Sequence, residues 1–93
     1  MKVCWTDESY EALKGIREFI ARDSDYYACR TVERILSREI QIGTFPRSGR
    51  KVPEYDDSNI REVFEGDYRI IYKIRSDSID VLTVVHGAMQ IDK

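Results

Sequence analysis

Histidine occurs once in this chain, at His86, and cysteine twice, at Cys4 and Cys29. The two cysteines have no metal-ligand spacing and no disulfide-dense pattern, so they are expected to be buried, reduced thiols; no metal and no cofactor is implied. No apolar run is long enough to span a bilayer, and no charged start leads into an apolar h-region. Membrane insertion and secretion are therefore unsupported, and a cytoplasmic location is expected. The chain also lacks an excess of charge: 15 Lys and Arg face 17 Asp and Glu, for a net charge of −2. That balance argues against a protein that coats nucleic acid. Internal repeats and low-complexity segments are absent. Ninety-three residues leave room for one hydrophobic core, so residues 1–93 are read as a single domain.

The segment from Asn59 to His86 carries most of the pattern. Three runs rich in Ile, Val, Tyr and Phe are separated by Glu65-Gly66-Asp67 and by Arg75-Ser76-Asp77-Ser78. β-branched and aromatic runs bounded by such clusters predict strands joined by tight hairpins. In the middle run Tyr68, Ile70, Tyr72 and Ile74 share one face, and Arg69, Ile71 and Lys73 the other. A strand with one apolar face needs a layer against it.

The first half supplies that layer. Val3-Cys4-Trp5 predicts a short edge strand. Thr6-Asp7-Glu8 then offers an N-cap with acids in the first turn. Tyr10, Leu13, Ile16, Phe19 and Ile20 recur at helical spacing and predict an amphipathic helix ending near Arg22, in which Gly15 is read as a point of close helix approach. Asp23-Ser24-Asp25 gives a turn and a second cap. A longer helix is expected to follow, with Ala28, Cys29, Val32, Ile35, Leu36 and Ile40 as its stripe and Gly43 as its C-cap. So short a connection makes the pair an antiparallel hairpin. Residues 44–53 hold two prolines and the cations Arg47, Arg50 and Lys51, and read as an ordered loop crossing to the sheet. The expected fold class is α+β: an N-terminal strand and an antiparallel helical hairpin packed on a mainly antiparallel β-sheet.

Pro46-x-x-Gly49-Arg50, Val52-Pro53-Glu54, Ile60-Arg61-Glu62-Val63, the run Gly66 to Ile74 and Val84-Val85-His86-Gly87 occur in an order that resembles the RelE/ParE superfamily, the toxins of type II toxin–antitoxin pairs. The resemblance spans nearly the whole chain and implies a cognate antitoxin as partner. One branch of that superfamily cuts mRNA in the ribosomal A site; the other poisons DNA gyrase and has no hydrolytic chemistry. The mRNA-cutting branch places an arginine four residues before the tyrosine that Tyr68 resembles, and here that position is Phe64. The tail from Gly87 to Lys93 contains neither arginine nor tyrosine. The resemblance is therefore nearer to the ParE-like, plasmid-stabilisation members. It implies a toxin that works by binding gyrase. A metal-independent, ribosome-dependent endoribonuclease and a degenerate, non-toxic relative are the alternatives. Homodimer and toxin–antitoxin hetero-oligomer both stay open.

Metal-free RNA cleavage requires acid–base groups and cationic clamps, for which Arg50, Lys51, Arg61, Arg69, Tyr72 and His86 are the available cast. Arg61, Arg69 and His86 are the catalytic candidates, against a reading in which His86 ends a buried strand and bonds a carbonyl. Arg50, Lys51, Arg61, Arg69 and Lys73 are the candidates for binding target or antitoxin. Arg61, Arg69 and Lys73 are expected to share the open sheet face, where they would meet phosphates or an acidic segment, or else pair with Glu62, Glu65 or Asp80. Arg50 is read as pinning its loop and Lys51 as binding.

Overall fold

Thr6 joins helix to sheet in the computed structural model, which describes residues 1–87. Its hydroxyl accepts from the Ser9 amide at 3.2 Å, capping α1 (Asp7–Ala21), and donates to the Val81 carbonyl at 2.8 Å. Ser24 caps α2 (Asp25–Ser37) in the same way, through the Tyr27 amide. Three residues separate the helices, which pack as the expected hairpin.

The inward stripes centre on the expected Leu13, Ala28 and Ile35 but are narrower than expected. Ser9, Leu13, Ala28 and Ile35 are buried, whereas Tyr10, Phe19, Cys29 and Leu36 are exposed. Tyr10, Cys29 and Leu36 each follow a buried residue by one position, about 100° further round the helix, which carries them out of the interface. Cys29 is thus a surface thiol, not a buried one, and Cys4 is half-buried.

The long second helix is two helices. At Ser37 the hydroxyl donates back to the Arg34 carbonyl at 2.7 Å, and the Arg38 amide bonds Ile35 in a tightened turn. The Arg38 guanidinium then reaches Glu65 at 3.1 Å, and α3 (Glu39–Thr44) starts at the next residue. Ile42 is buried, but Ile40 is 77% exposed. Gly43 lies inside α3 instead of ending it; a Cβ there would sit 2.9 Å from the Met1 carbonyl. Close approach is not the reason for Gly15, where a Cβ would meet no atom within 4 Å.

The sheet runs β1-β5-β4-β3-β2. β1 (Lys2–Trp5) is parallel to β5 (Ser78–His86), and the other neighbours are antiparallel: β2 (Arg50–Lys51), β3 (Ile60–Glu65), β4 (Tyr68–Ile74) and β5. β2 arises within the segment read as a loop. A register shift between Ile71 and Tyr72 pairs them with Thr83 and Val81, leaving Leu82 as the extra residue. This bulge puts Ile79, Val81 and Val84 on one face, which strict alternation forbids. The three join Leu13, Ile35, Ile42, Val63, Ile70 and Tyr72 in the core under the helices. No helix is long and apolar enough to cross a membrane among the described residues.

The opposite sheet face is not open along its length. Ile60 and Ile71 point there and would be wet without cover. Val52 and Tyr55, from the segment between β2 and β3, lie over them, with Leu82 and Val85 at the margin.

Candidate partner-binding site

Register decides where the candidate cations point, because directly opposed residues of an antiparallel pair share a face. Glu62 is opposite Ile71, and Phe64 opposite Arg69, so Glu62, Phe64, Arg69 and Lys73 lie on the face away from the helices. Arg61 is opposite Tyr72 and lies on the helix-side face. The expectation that Arg61, Arg69 and Lys73 share one surface is therefore corrected: one-residue alternation sends Arg61 to the other side.

Arg69 is held inside the protein. Its Nε donates to Glu62 at 2.6 Å, and its two terminal nitrogens donate to Glu54 at 3.0 and 2.9 Å, a bidentate clamp. The Arg69 side chain is 6% exposed and that of Glu62 fully buried. The hydrogen-bonded Glu54 carboxylate raises the Arg69 pKa above its ordinary value; burial opposes the rise, and Glu62 adds to it. The second Glu62 oxygen takes Arg50, whose guanidinium also lies 5.1 Å from the centre of the Phe64 ring. Four alternating charges thus neutralise one another across β2, β3, β4 and the covering loop. Lys73 is 3.6 Å from Asp57. Arg50, Arg69 and Lys73 are accordingly satisfied by the chain's own acids.

Arg61 and Lys51 differ. They are directly opposed in the β2–β3 pair. Among the described residues Arg61 donates only to backbone carbonyls, Ser58 at 2.7 Å and Gly49 at 3.2 Å, which orient the guanidinium without cancelling its charge. Arg47 donates to the Asn59 side-chain carbonyl at 3.1 Å. Among the described residues, no carboxylate lies within ion-pair distance of Arg47, Lys51 or Arg61.

The catalytic candidates are not brought together. His86 is exposed at the far end of β5, opposite Tyr68 with the rings 5.8 Å apart. Tyr72 lies four residues along β4 from Tyr68, about 13 Å away. It is buried, donating to the Pro46 carbonyl at 2.6 Å. Among the described residues no three His, Cys, Asp or Glu side chains are grouped as metal ligands. The arginine-free tail beyond Gly87 lies outside the described residues.

Burial raises the Tyr72 phenol above its ordinary value of 10.0, and a Gly49 backbone hydrogen bond and the Arg61 charge offset part of that rise. A raised folded-state pKa means that the folded protein holds the proton more tightly. The contribution is full below the unfolded value and is lost as pH climbs through the folded one. Stability is expected to fall above roughly pH 10, a decline that Tyr72→Phe would flatten. Urea midpoints measured across the alkaline range on both proteins check this.

A helix-side groove of about 450 Å³ opens between α1 and the ends of β4 and β5. Ala12, Ile16, Phe19, Tyr68, Val84 and His86 line it. Sequence reasoning missed both this groove and the Glu54–Arg69 clamp, whose two residues lie 15 positions apart and meet only through the covering loop.

Residues 3–91 match the family described as the ParE toxin of the type II toxin–antitoxin system parDE. The chain belongs to the ParE toxin family. Among curated proteins, no sequence matches it. Solved structures share the fold. The chromosomal ParDE toxin–antitoxin system of P. aeruginosa aligns with a TM-score of 0.76 at 15% identity, over 92% of this chain and 95% of that one. The RelBE2 toxin–antitoxin complex of Mycobacterium tuberculosis aligns at 0.67 and 17%, over 91% and 95%. A YoeB/ParE toxin from Agrobacterium tumefaciens aligns at 0.64 and 19%, over 92% and 98%. A ParE-family chain is thus a type II toxin, and the α+β expectation matches the fold of these toxins.

Proposed function

We propose that this ParE-family toxin stops growth by binding DNA gyrase, without cutting RNA, and that a cognate antitoxin holds it inactive in the cytoplasm. The observation that carries the first half is the dispersal of the cleavage cast. Arg69 is enclosed by two carboxylates, Tyr72 is buried, and His86 stands at the opposite end of the sheet from Arg61. Phe64 occupies the position where the mRNA-cutting relatives carry an arginine. Family membership supports the second half. The antitoxin seats an amphipathic helix in the groove beside α1, a recurrent recognition mode.

The test is induced expression in a host that lacks the antitoxin. DNA-damage signalling and covalent gyrase–DNA complexes are expected to accumulate while mRNA 5′ ends stay unchanged. Mapped cleavage inside translated codons would assign the ribosome-dependent endonuclease instead. Growth unaffected by a folded, expressed chain would mark a member that has lost toxicity. Coexpression with the neighbouring reading frame should restore growth.

A further inference from the structure

We propose that the open edge at β2 is a docking site for an extended acidic peptide segment, which adds as a strand beside Lys51 and places a carboxylate over Lys51 and Arg61. The proposal deepens the reading above, in which a protein partner binds this toxin, by naming the surface and the chemistry of what it takes.

Three observations support it. First, β2 ends the sheet. The Val52 amide points to the Ile60 carbonyl at 3.5 Å, so Val52 turns its backbone groups toward β3. Backbone direction alternates along an antiparallel strand, so the N–H and C=O of Lys51 face an edge on which no strand pairs among the described residues. Second, Lys51 and Arg61 are two cations directly opposed across β2 and β3. Such a pair disfavours the fold by itself, and an anion set between them relieves the repulsion. Third, the site is oriented in advance. The Ser58 and Gly49 carbonyls hold the Arg61 guanidinium, and Arg47 is anchored on Asn59, two positions before Arg61.

The backbone edge chooses between the two kinds of anion. A residue pairing opposite Lys51 puts its side chain on the same face as Lys51 and Arg61, so Asp or Glu there meets both cations. Its neighbours point to the other face, beside Arg50. A phosphodiester strand supplies the charge but no amide ladder for the edge, and a chain of net charge −2 gives it no long-range attraction. Pro53, two residues after Lys51, ends the ladder, so the docked stretch is short.

The whole chain, labelled with nitrogen-15, is titrated with an alternating Thr-Glu decapeptide and, separately, with an oligothymidylate of equal charge. The peptide is expected to shift the Lys51 and Arg61 resonances saturably and to slow hydrogen exchange of the Lys51 amide, which simple ion pairing leaves unchanged. Lys51→Glu should weaken binding about tenfold or more. Lys51 is exposed on a two-residue edge strand, so this variant tests the site even if Arg61→Glu, which gives up two backbone carbonyls, fails to fold. Arg17→Glu, on the exposed side of α1, should change nothing. The proposal is overturned by saturable oligothymidylate binding without peptide binding, by peptide binding that survives Lys51→Glu, or by no peptide binding. None of these outcomes alters the toxin reading, which rests on the expression experiment.

Discussion

Glu62→Ala is expected to destabilise the protein by about 3–5 kcal/mol, the cost of breaking one partner out of a buried ion pair. Glu62 is fully buried and accepts from both Arg69 and Arg50. Without it, Arg50 loses little, because its side chain is 59% exposed and water solvates it. Arg69 is in the opposite position. It keeps the Glu54 clamp, but its Nε faces a void in a site only 6% exposed. Against a total stability of about 5–15 kcal/mol for a domain of this class, such a loss leaves a substantial unfolded population. Equilibrium urea unfolding measures it, and a loss below about 1 kcal/mol would show that Arg69 finds water easily. A control separates the cost of breaking the pair from the worth of having it. The triple replacement Glu54→Gln, Glu62→Leu and Arg69→Met removes all three enclosed charges, Glu54 included because Arg69 is its clamp, and is expected to lie near the parent or above it, since buried pairs rarely outperform apolar packing of the same volume. Because the Arg69 pKa is raised, its share of stability is complete below the ordinary guanidinium value and is lost only above it. Alkali within the usual working range leaves the clamp intact.

The same cluster marks where sequence reading stops. The order of elements was legible because periodicity of two or of 3.6 is local information. Tyr68, Ile70, Tyr72 and Ile74 on one face of β4 required nothing more. Arg61 and Arg69 are eight positions apart in sequence, and whether they share a face depends on the two-residue turn at Gly66-Asp67 between β3 and β4, which the hairpin register fixes only once the strands pair. The covering loop was hidden for a related reason. Val52 and Tyr55 show no periodicity, and their role exists only relative to Ile60 and Ile71 on two other strands. The bulge at Leu82 did leave a trace, since the apolar positions switch from 79 and 81 to 84. The helix faces, centred correctly on Leu13, Ala28 and Ile35, were read too wide because Tyr10, Cys29 and Leu36 are apolar without being buried, whereas Ser9 is polar and is buried, its hydroxyl donating to the Thr6 carbonyl at 2.7 Å. Hydropathy ranks side chains, but a helix is oriented by what its neighbours can accept.

Phe19→Asp is expected to separate neutralisation from toxicity. Phe19 lines the groove beside α1 yet is 65% exposed, with the Arg22 guanidinium 5.7 Å from its ring centre. In the free chain this ring contributes little burial, so replacing it should change folding stability by no more than about 0.5 kcal/mol. In a complex, an aromatic anchor enclosed by a helix is the kind of residue that costs 2 kcal/mol or more when removed, roughly a thirtyfold or greater loss of affinity. A carboxylate in that position adds the penalty of burying a charge against Ala12, Ile16 and Val84. The proposed gyrase binding involves no part of the groove, so the variant should still arrest growth, and coexpressed antitoxin should no longer relieve the arrest. Titration calorimetry of the purified antitoxin against both proteins gives the affinity ratio, and thermal melts confirm the unchanged fold. Equal affinities would place the antitoxin on another surface. The exposed rings of Tyr26 and Tyr27 on α2, 5.4 Å apart at 77°, would then be the next site to alter.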